Sequence, residues 1–180
     1  MKFVQPIRDP KDIEAMKQDL MHQSYRNYFL FVFGINVGLR ISDILPLQVK
    51  HVRNRTHGVL KEQKTGKARR FLINQQLREE IEKYTEGMDD EDYLFPSRLT
   101  GLPIKRVQAY KILSRAGKRI GLEEVGTHTL RKTFGYHYYT QKGDIVMLQK
   151  IMNHSSQQIT LDYIGIGPDQ IDSSLEDFYI

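Results

Sequence analysis

His128-Thr-Leu-Arg131, Asn153-His154 and Tyr163 are the residues of this 180-residue chain whose types and spacing could do chemistry. In a helix, the i, i+3 spacing of His128 and Arg131 puts imidazole and guanidinium on one face, so both can reach a single phosphate. His154 follows Met-Asn at a predicted helix end, in a turn where an imidazole can donate to a phosphoryl oxygen. Tyr163, nine residues further on, offers a phenol whose ordinary pKa of about 10 requires neighbouring positive charge or a base before it attacks at neutral pH. Together they read as metal-free phosphoryl transfer to a tyrosine side chain.

Each residue alone has a plainer reading. A His-x-x-Arg pair is common, an exposed or capping histidine is ordinary, and most of the ten tyrosines belong to core or surface. What raises the reading is the company they keep. A phosphodiester transition state carries charge on its equatorial oxygens and needs fixed cationic donors, for which the arginine fork is suited. Arg40, at a turn beside an apolar helix, is a second clamp to Arg131. Lys64, at the mouth of the Lys64-Thr-Gly-Lys67 hairpin, could reach in as a general acid, although a solvated turn lysine is the plain alternative. No cluster of carboxylates or histidines has metal-ligand spacing, which disfavours a metal nuclease.

The elements that must position these groups are legible in outline. Asp9-Pro10 predicts an N-cap and first helical residue, with Ile13, Met16 and Leu20 at helical spacing. Ser24 caps a second helix through Phe29, Phe31, Val32, Phe33 and Ile35, ending at Gly38; being apolar on most faces, it should be central. Ser42 and Asp43 favour a short helix after Arg40, and Pro46 limits its far end. Between about 48 and 73, three β-prone runs (Val49 and Val52; Val59 and Leu60; Phe71 and Ile73) predict a three-stranded antiparallel sheet, separated by Asn54-Arg-Thr-His-Gly58 and the Lys64 hairpin. Asn74 caps a helix to about Gly87, and an acidic connection follows to Pro103. Further helices are predicted over 104–120, 128–141, 144–152, 156–164 and 168–178. The fold class is mainly α with a small antiparallel sheet, α+β, in a single domain.

The helix from Ile104 to Ile120 is amphipathic, with Ile104, Val107, Tyr110, Leu113 and Ile120 expected inward. Lys105, Arg106, Lys111, Arg115, Lys118 and Arg119 occur on it without one acid. A charge run is usually a solvated face, but six unneutralised cations repel one another, and contact with a nucleic-acid backbone is the alternative. The formal net charge of +5 is unevenly spread. Residues 151–180 contain no Lys or Arg and five acids, which leaves +10 on residues 1–150. The basic body, not the acidic tail, is the candidate nucleic-acid surface. The absence of cysteine excludes disulfides and thiolate metal sites and fits a reducing compartment. The N-terminus lacks an apolar signal core and the longest apolar run, Tyr28 to Leu39, is too short to span a membrane, so a cytoplasmic location is expected.

As a set, Gly38-Leu-Arg40-Ile-Ser-Asp43, the hairpin lysine of Lys64-Thr-Gly, His128-Thr-Leu-Arg131, Asn153-His154 and Tyr163 resemble the tyrosine recombinase (phage integrase) family, in the family's order and over nearly the whole chain. The resemblance implies the catalytic-domain architecture of the DNA breaking-rejoining enzymes and site-specific recombination without metal, ATP or other cofactor. Tyr163 would attack the scissile phosphate to give a 3′-phosphotyrosyl link, with the 5′-hydroxyl strand leaving. Arg40, Arg131 and His154 would stabilise the transition state. Lys64 would be the general acid, His128 would assist proton transfer at the tyrosine, and Asp43 would brace the site. The partners implied are double-stranded DNA, with nucleoid association during the reaction, and further copies of the chain in a tetrameric synapse. Members usually carry a helical DNA-clamping domain ahead of the catalytic one; about 23 residues precede the central helix here, so that domain is expected to be absent. Residues 165–180 are expected to be a tail with Ile171, Leu175 and Phe178 in an apolar stripe, packed either on its own body or in a neighbour's groove. Two other readings stay open: a non-cleaving DNA-binding regulator with the same fold, and DNA relaxation in the manner of type IB topoisomerases.

Overall fold

Asp9 and Pro10 open the first helix as the capping chemistry predicts: Asp9 Oδ1 accepts from the Lys11 amide at 2.8 Å, and α1 runs Pro10–Gln23. The computed structural model describes residues 4–180. Ser24 ends α1 and caps α2 (Tyr25–Val37), its Oγ accepting from the Asn27 amide at 3.2 Å. Phe29, Leu30, Phe31 and Phe33 are fully buried on α2, so this helix is the axis of the main core. Phe29 stacks on Tyr84 at 4.1 Å between ring centroids, and Phe33 meets Phe71 edge-on at 6.2 Å, tying α2 to the elements around it. Gly38 closes α2 in the left-handed region at φ 62°, and a Cβ there would sit 2.4 Å from the Phe134 ring. That position takes glycine both for its backbone and for the close approach of the neighbouring helix.

The short α3 (Ile41–Ile44) follows, with Arg40 at its N-cap position. The sheet then departs from the sequence expectation. Among the described residues it has two strands, β1 (His57–Lys61) and β2 (Ala68–Leu72), paired antiparallel with Lys61 opposite Ala68. The third run, Val49 and Val52, lies in a 3-10 turn at Val49–His51, and only Gln48 forms an isolated bridge to Tyr93. The reason is periodicity. Val49 and Val52 are both fully buried, and a spacing of three puts them on one face of a 3-10 turn but on opposite faces of a strand. Accordingly Asn54-Arg-Thr is a turn leading into β1, with Asn54 at φ 55°, while His57 and Gly58 are the first residues of the strand, and the segment is not a hairpin.

The remaining helices are α4 (Gln75–Tyr84), α5 (Arg106–Arg119), α6 (Thr127–Lys142), α7 (Ile145–Met152), α8 (Gln157–Ile164) and α9 (Pro168–Leu175). Asn74, Asp144 and Ser156 cap α4, α7 and α8 through their side chains. A second, smaller core of Leu148, Met152 and Ile164, lined by Phe134, Tyr136 and Tyr163, holds α7 and α8 against α6. Here Gly135 of α6 permits close approach: a Cβ would meet Ile164 Cγ2 at 2.7 Å and Met152 Cε at 3.2 Å. Gly135→Ala is therefore expected to destabilise the fold by about 1–3 kcal/mol through overpacking, against a helix-propensity gain of up to about 1 kcal/mol. Urea unfolding measures it, and a variant more stable than wild type would refute the packing account.

α5 turns differently from the sequence expectation. Ala109, Leu113, Ala116 and Gly117 form its buried face, while Val107 is 62% and Tyr110 41% exposed. Small residues let the helix sit close to the body: a Cβ at Gly117 would lie 2.7 Å from Val125. Val107 and Tyr110 are thereby turned outward among the cations, whereas Ile104 and Leu113 are buried as expected.

Candidate active site

Arg131 is the most deeply placed charge of the site, only 2% exposed. Its Nη1 donates to the Gly38 carbonyl and its Nη2 to the Met152 carbonyl, each at 2.5 Å, so one guanidinium joins the ends of α2 and α7. Burial lowers its pKa to about 10, which leaves it charged at neutral pH. Arg40, at the start of α3, donates from Nη1 to Glu62 Oε1 at 3.2 Å. The same carboxylate oxygen accepts from Arg69 Nη1 at 2.8 Å, and Oε2 accepts from Thr65 Oγ1 at 2.7 Å. Burial works to raise Glu62, but the hydrogen bonds from Arg69 and Thr65 and the charges of Arg69 and Arg40 outweigh it and hold the carboxyl below its usual value. Arg69 Nη2 donates in turn to the Ile151 carbonyl, linking this hub to the segment that leads into His154.

Asp43 is buried, and its Oδ1 accepts from the Gln63 amide at 2.8 Å, next to Lys64. Its Oδ2 is buried with no partner among the described residues. Lys64 itself is exposed on the turn between β1 and β2. It lines an open cleft of about 360 Å³ together with Arg40, Arg106, His128 and Arg131, and no carboxylate lines that cleft. Larger concavities, of about 820 and 460 Å³, lie elsewhere on the molecule.

Tyr163 does not line the cleft itself but touches His128, which does. The phenol oxygen of Tyr163 lies 3.5 Å from Nδ1 of His128, and its ring meets the His154 ring edge-on at 5.1 Å between centroids. The Lys132 ammonium lies 5.3 Å from the centre of the Tyr163 ring and also donates to the Val4 carbonyl. Burial raises the Tyr163 phenol above its ordinary value, while the charges of Arg131 and Arg40 pull the other way. The phenol is thus protonated in the free protein. His128 is lowered by burial first and then by the charges of Arg106, Lys132, Arg131 and Arg40, so it is a neutral imidazole that can accept the phenol proton.

His154 is lowered further, to about 4, by burial first and then by the charges of Arg131, Arg40, Arg69 and Lys64. Its Nδ1 lies 3.1 Å from Thr160 Oγ1, which donates its own hydrogen to the Ser156 carbonyl at 3.0 Å. With that hydroxyl proton committed, neutral His154 carries its proton on Nδ1 and leaves Nε2 bare. An arriving phosphate supplies the negative charge that favours a second proton there.

These shifts have a stability consequence. His51, His128 and His154 are all lowered in the fold, with burial the largest cause, so the unfolded chain binds protons that the folded one does not. Their contribution is complete above the ordinary histidine value of about 6.5 and is lost as pH falls from there toward the folded values. The melting temperature is expected to drop between about pH 7 and pH 5, before the lowered carboxylates titrate, and to drop less in His154→Asn. A flat profile over that window would refute the assignment.

Of the six cations predicted on α5, Arg106 lines the cleft, and Lys105 takes the N-cap position. Arg119 is turned away from phosphate contact: its Nε and Nη2 donate to the two Asp19 oxygens of α1 at 2.7 and 2.8 Å. The sequence showed no acid on α5, and the neutralising carboxylate comes from another helix. Lys111, Arg115 and Lys118 remain exposed on the side opposite the buried Ala109–Leu113–Ala116 face. Sequence reasoning missed Glu62, Arg69, Lys132 and Thr160. Arg40 lies 22 residues from Glu62, Ile151 82 from Arg69 and Val4 128 from Lys132, so no local spacing marks those bonds, whereas Thr160 sits six residues after His154 and could have been paired with it.

The arrangement resembles known proteins over most of its length. Residues 9–167 match the phage integrase family. The chain belongs to that family. It is 56% identical to the probable integrase/recombinase YoeC of Bacillus subtilis (strain 168), over 94% of this chain and 93% of that relative. It is 25% identical to the tyrosine recombinase XerC of Staphylococcus epidermidis over 94% of this chain, but spans only 60% of that longer protein. Among solved structures, the fold superposes on the XerA recombinase with a TM-score of 0.77 at 20% identity, covering 97% of this chain and 65% of that one. It superposes on the XerH site-specific recombinase bound to palindromic difH substrate in a post-cleavage complex with a TM-score of 0.75 at 19% identity, covering 94% and 52%. The mainly helical architecture with a small antiparallel sheet is that of this family's catalytic domains. Among the described residues, no helix is long and apolar enough to cross a membrane.

Proposed function

We propose that this integrase-family chain is a site-specific DNA recombinase that cleaves and rejoins double-stranded DNA through Tyr163. The observation that carries the reading is the phenol of Tyr163, 3.5 Å from a neutral His128 and flanked by His154, beside a cleft whose charged lining residues, Arg40, Lys64, Arg106 and Arg131, are all cations. The scissile phosphate enters that cleft, where Arg40 and Arg131 bind its non-bridging oxygens and His154 donates to one of them. The Tyr163 oxygen attacks phosphorus, and its proton passes to His128. The bond from phosphorus to the 5′ oxygen breaks, and Lys64, on the exposed hairpin, gives that oxygen its proton. A 3′-phosphotyrosyl link and a free 5′-hydroxyl result, and reversal by another strand's hydroxyl rejoins the DNA. Asp43 braces the hairpin by holding the Gln63 amide.

Arg106 lines the cleft, Lys105 precedes it at the N-cap, and Lys111, Arg115 and Lys118 are exposed along α5; we assign these five to the DNA backbone. The DNA-bound state of the XerH structure supports DNA as the partner. The chain works as one catalytic domain, and several copies assemble on the DNA in a tetrameric synapse. No residue of α9 is buried, and Ile171, Leu175 and Phe178 are 55%, 55% and 65% exposed. That favours the tail docking on a neighbouring protomer over packing on its own body.

A pool of nicked duplexes of randomised sequence, in which the leaving strand diffuses away after cleavage, tests the chemistry. Wild-type protein is expected to form an adduct that survives denaturing electrophoresis and Tyr163→Phe to form none. An adduct that persists in Tyr163→Phe, or none from wild type, overturns the reading.

A further inference from the structure

The helix that carries Tyr163 is held at its far end by a residue outside the site. α8 has eight residues, too few to be stable alone, and Tyr163 lies in its last turn. Beyond it, Gly165 is left-handed at φ 75°, and α9 has no buried residue, so the chain downstream gives α8 no anchor. The anchor comes from the other end of the sequence: Arg8 Nη2 donates to the Gly165 carbonyl at 3.2 Å. A Cβ on Gly165 would lie 2.6 Å from that same Arg8 nitrogen, so the close approach is built into both residues.

Arg8 can serve as an anchor because its own segment is fixed. The Ile7 amide donates to Thr133 Oγ1 at 2.9 Å, and His137 Nε2 lies 2.9 Å from the Ile7 carbonyl, so residues 4–9 are strapped along α6. The guanidinium sits over the Tyr136 ring, 5.5 Å from its centre, and Nη2 also donates to Gln5 Oε1 at 3.3 Å. A cation at the C-terminal end of α8 further suits the helix dipole. α6 also carries His128 and Arg131, so strap, base and clamp share one rigid reference.

We propose that Arg8 is a positioning residue for the nucleophile: by clasping the Gly165 carbonyl it fixes the end of α8 and holds the Tyr163 hydroxyl at His128. The inference rests on the reading of Tyr163 as nucleophile given above. It touches neither DNA nor the reacting atoms, so its loss slows attack without weakening DNA binding.

Arg8→Ala and Arg8→Lys in the full chain test it in two ways. In the free protein, hydrogen exchange of the Gly165 and Ile166 amides, which donate to Asp162 and Leu161, is expected to quicken about tenfold or more in Arg8→Ala while amides of α2 keep their protection. On the nicked-duplex pool, the single-turnover adduct rate at saturating DNA is expected to fall about 10- to 50-fold, with half-saturation changed less than about twofold. Arg8→Lys, which can still donate to the Gly165 carbonyl, recovers part of both. Unchanged exchange at Gly165 and Ile166 overturns the clasp. An unchanged rate, or a rate loss matched by lost DNA affinity and a general loss of protection, overturns the positioning role. If wild-type protein forms no adduct, the Tyr163 reading fails and the role goes with it, whereas the exchange result still decides whether Arg8 holds α8.

Discussion

Arg131→Ala is expected to eliminate detectable adduct formation and to cost much of the fold's stability together. The Gly38 and Met152 carbonyls would lose their donor in a buried setting, at about 1–3 kcal/mol each. Against a typical total of about 5–15 kcal/mol, that loss moves the urea midpoint far down. The chemical step would lose a fixed donor to the transition state, worth about 10²- to 10³-fold in comparable sites. Arg131→Lys separates the two effects. An ammonium retains the charge, but its point-like donors cannot span the ends of α2 and α7 as the fork does. It should recover some stability and little cleavage. An alanine variant that unfolds at the wild-type urea concentration would show that the two carbonyls do not depend on Arg131.

Glu62→Gln is expected to produce the second largest loss, although Glu62 is not proposed to touch DNA. Its carboxylate is 3% exposed and neutralises two guanidiniums, Arg40 and Arg69, whose side chains are 19% and 13% exposed. Glutamine keeps an acceptor oxygen but removes the charge, and breaking a buried pair in this way costs about 3–5 kcal/mol. Arg40 would then turn away from Arg69, and the cleft would lose one of its clamps, so the adduct rate should fall with stability. Removing Arg69 as well should cost less than the sum of the single changes, because the second guanidinium no longer lacks its counter-charge. The Glu62 contribution in the wild type is present above the ordinary carboxylate value and lost as pH falls through the lower folded one, so it separates from the histidine loss at higher pH. Strict additivity in the double-variant cycle would refute the shared hub.

The site was readable where chemistry depends on residue type within one element. His128 and Arg131 share a face of α6 because three residues carry a helix through most of one turn. Asp9, Ser24 and Asn74 cap as predicted, and Asp144 and Ser156, where two predicted helices begin, prove to be caps as well, since a cap is a contact across two or three residues. The errors arose where a short apolar pattern fits two periods. Val49 and Val52 read as β-prone by type, but a spacing of three belongs to a 3-10 turn when both are buried. On α5, Leu113 faces the core as expected, but Val107 and Tyr110 do not, and Ala109, Ala116 and Gly117 complete the buried face because the helix packs close to its neighbours.

What the sequence by itself determined is the inventory and its order: a tyrosine, two histidines, two arginines and a hairpin lysine, set on helices whose ends are written in their capping residues. Only the tertiary structure decided how they are held. Arg131 joins Gly38 to Met152, Glu62 shares one oxygen between Arg40 and Arg69, Asp19 takes Arg119 from the basic face, and Arg8 reaches across to Gly165. The physical reason is range. Capping and periodicity act over a few residues, whereas a buried charge must find its counter-charge or carbonyl wherever packing brings one, here up to 157 residues along the chain.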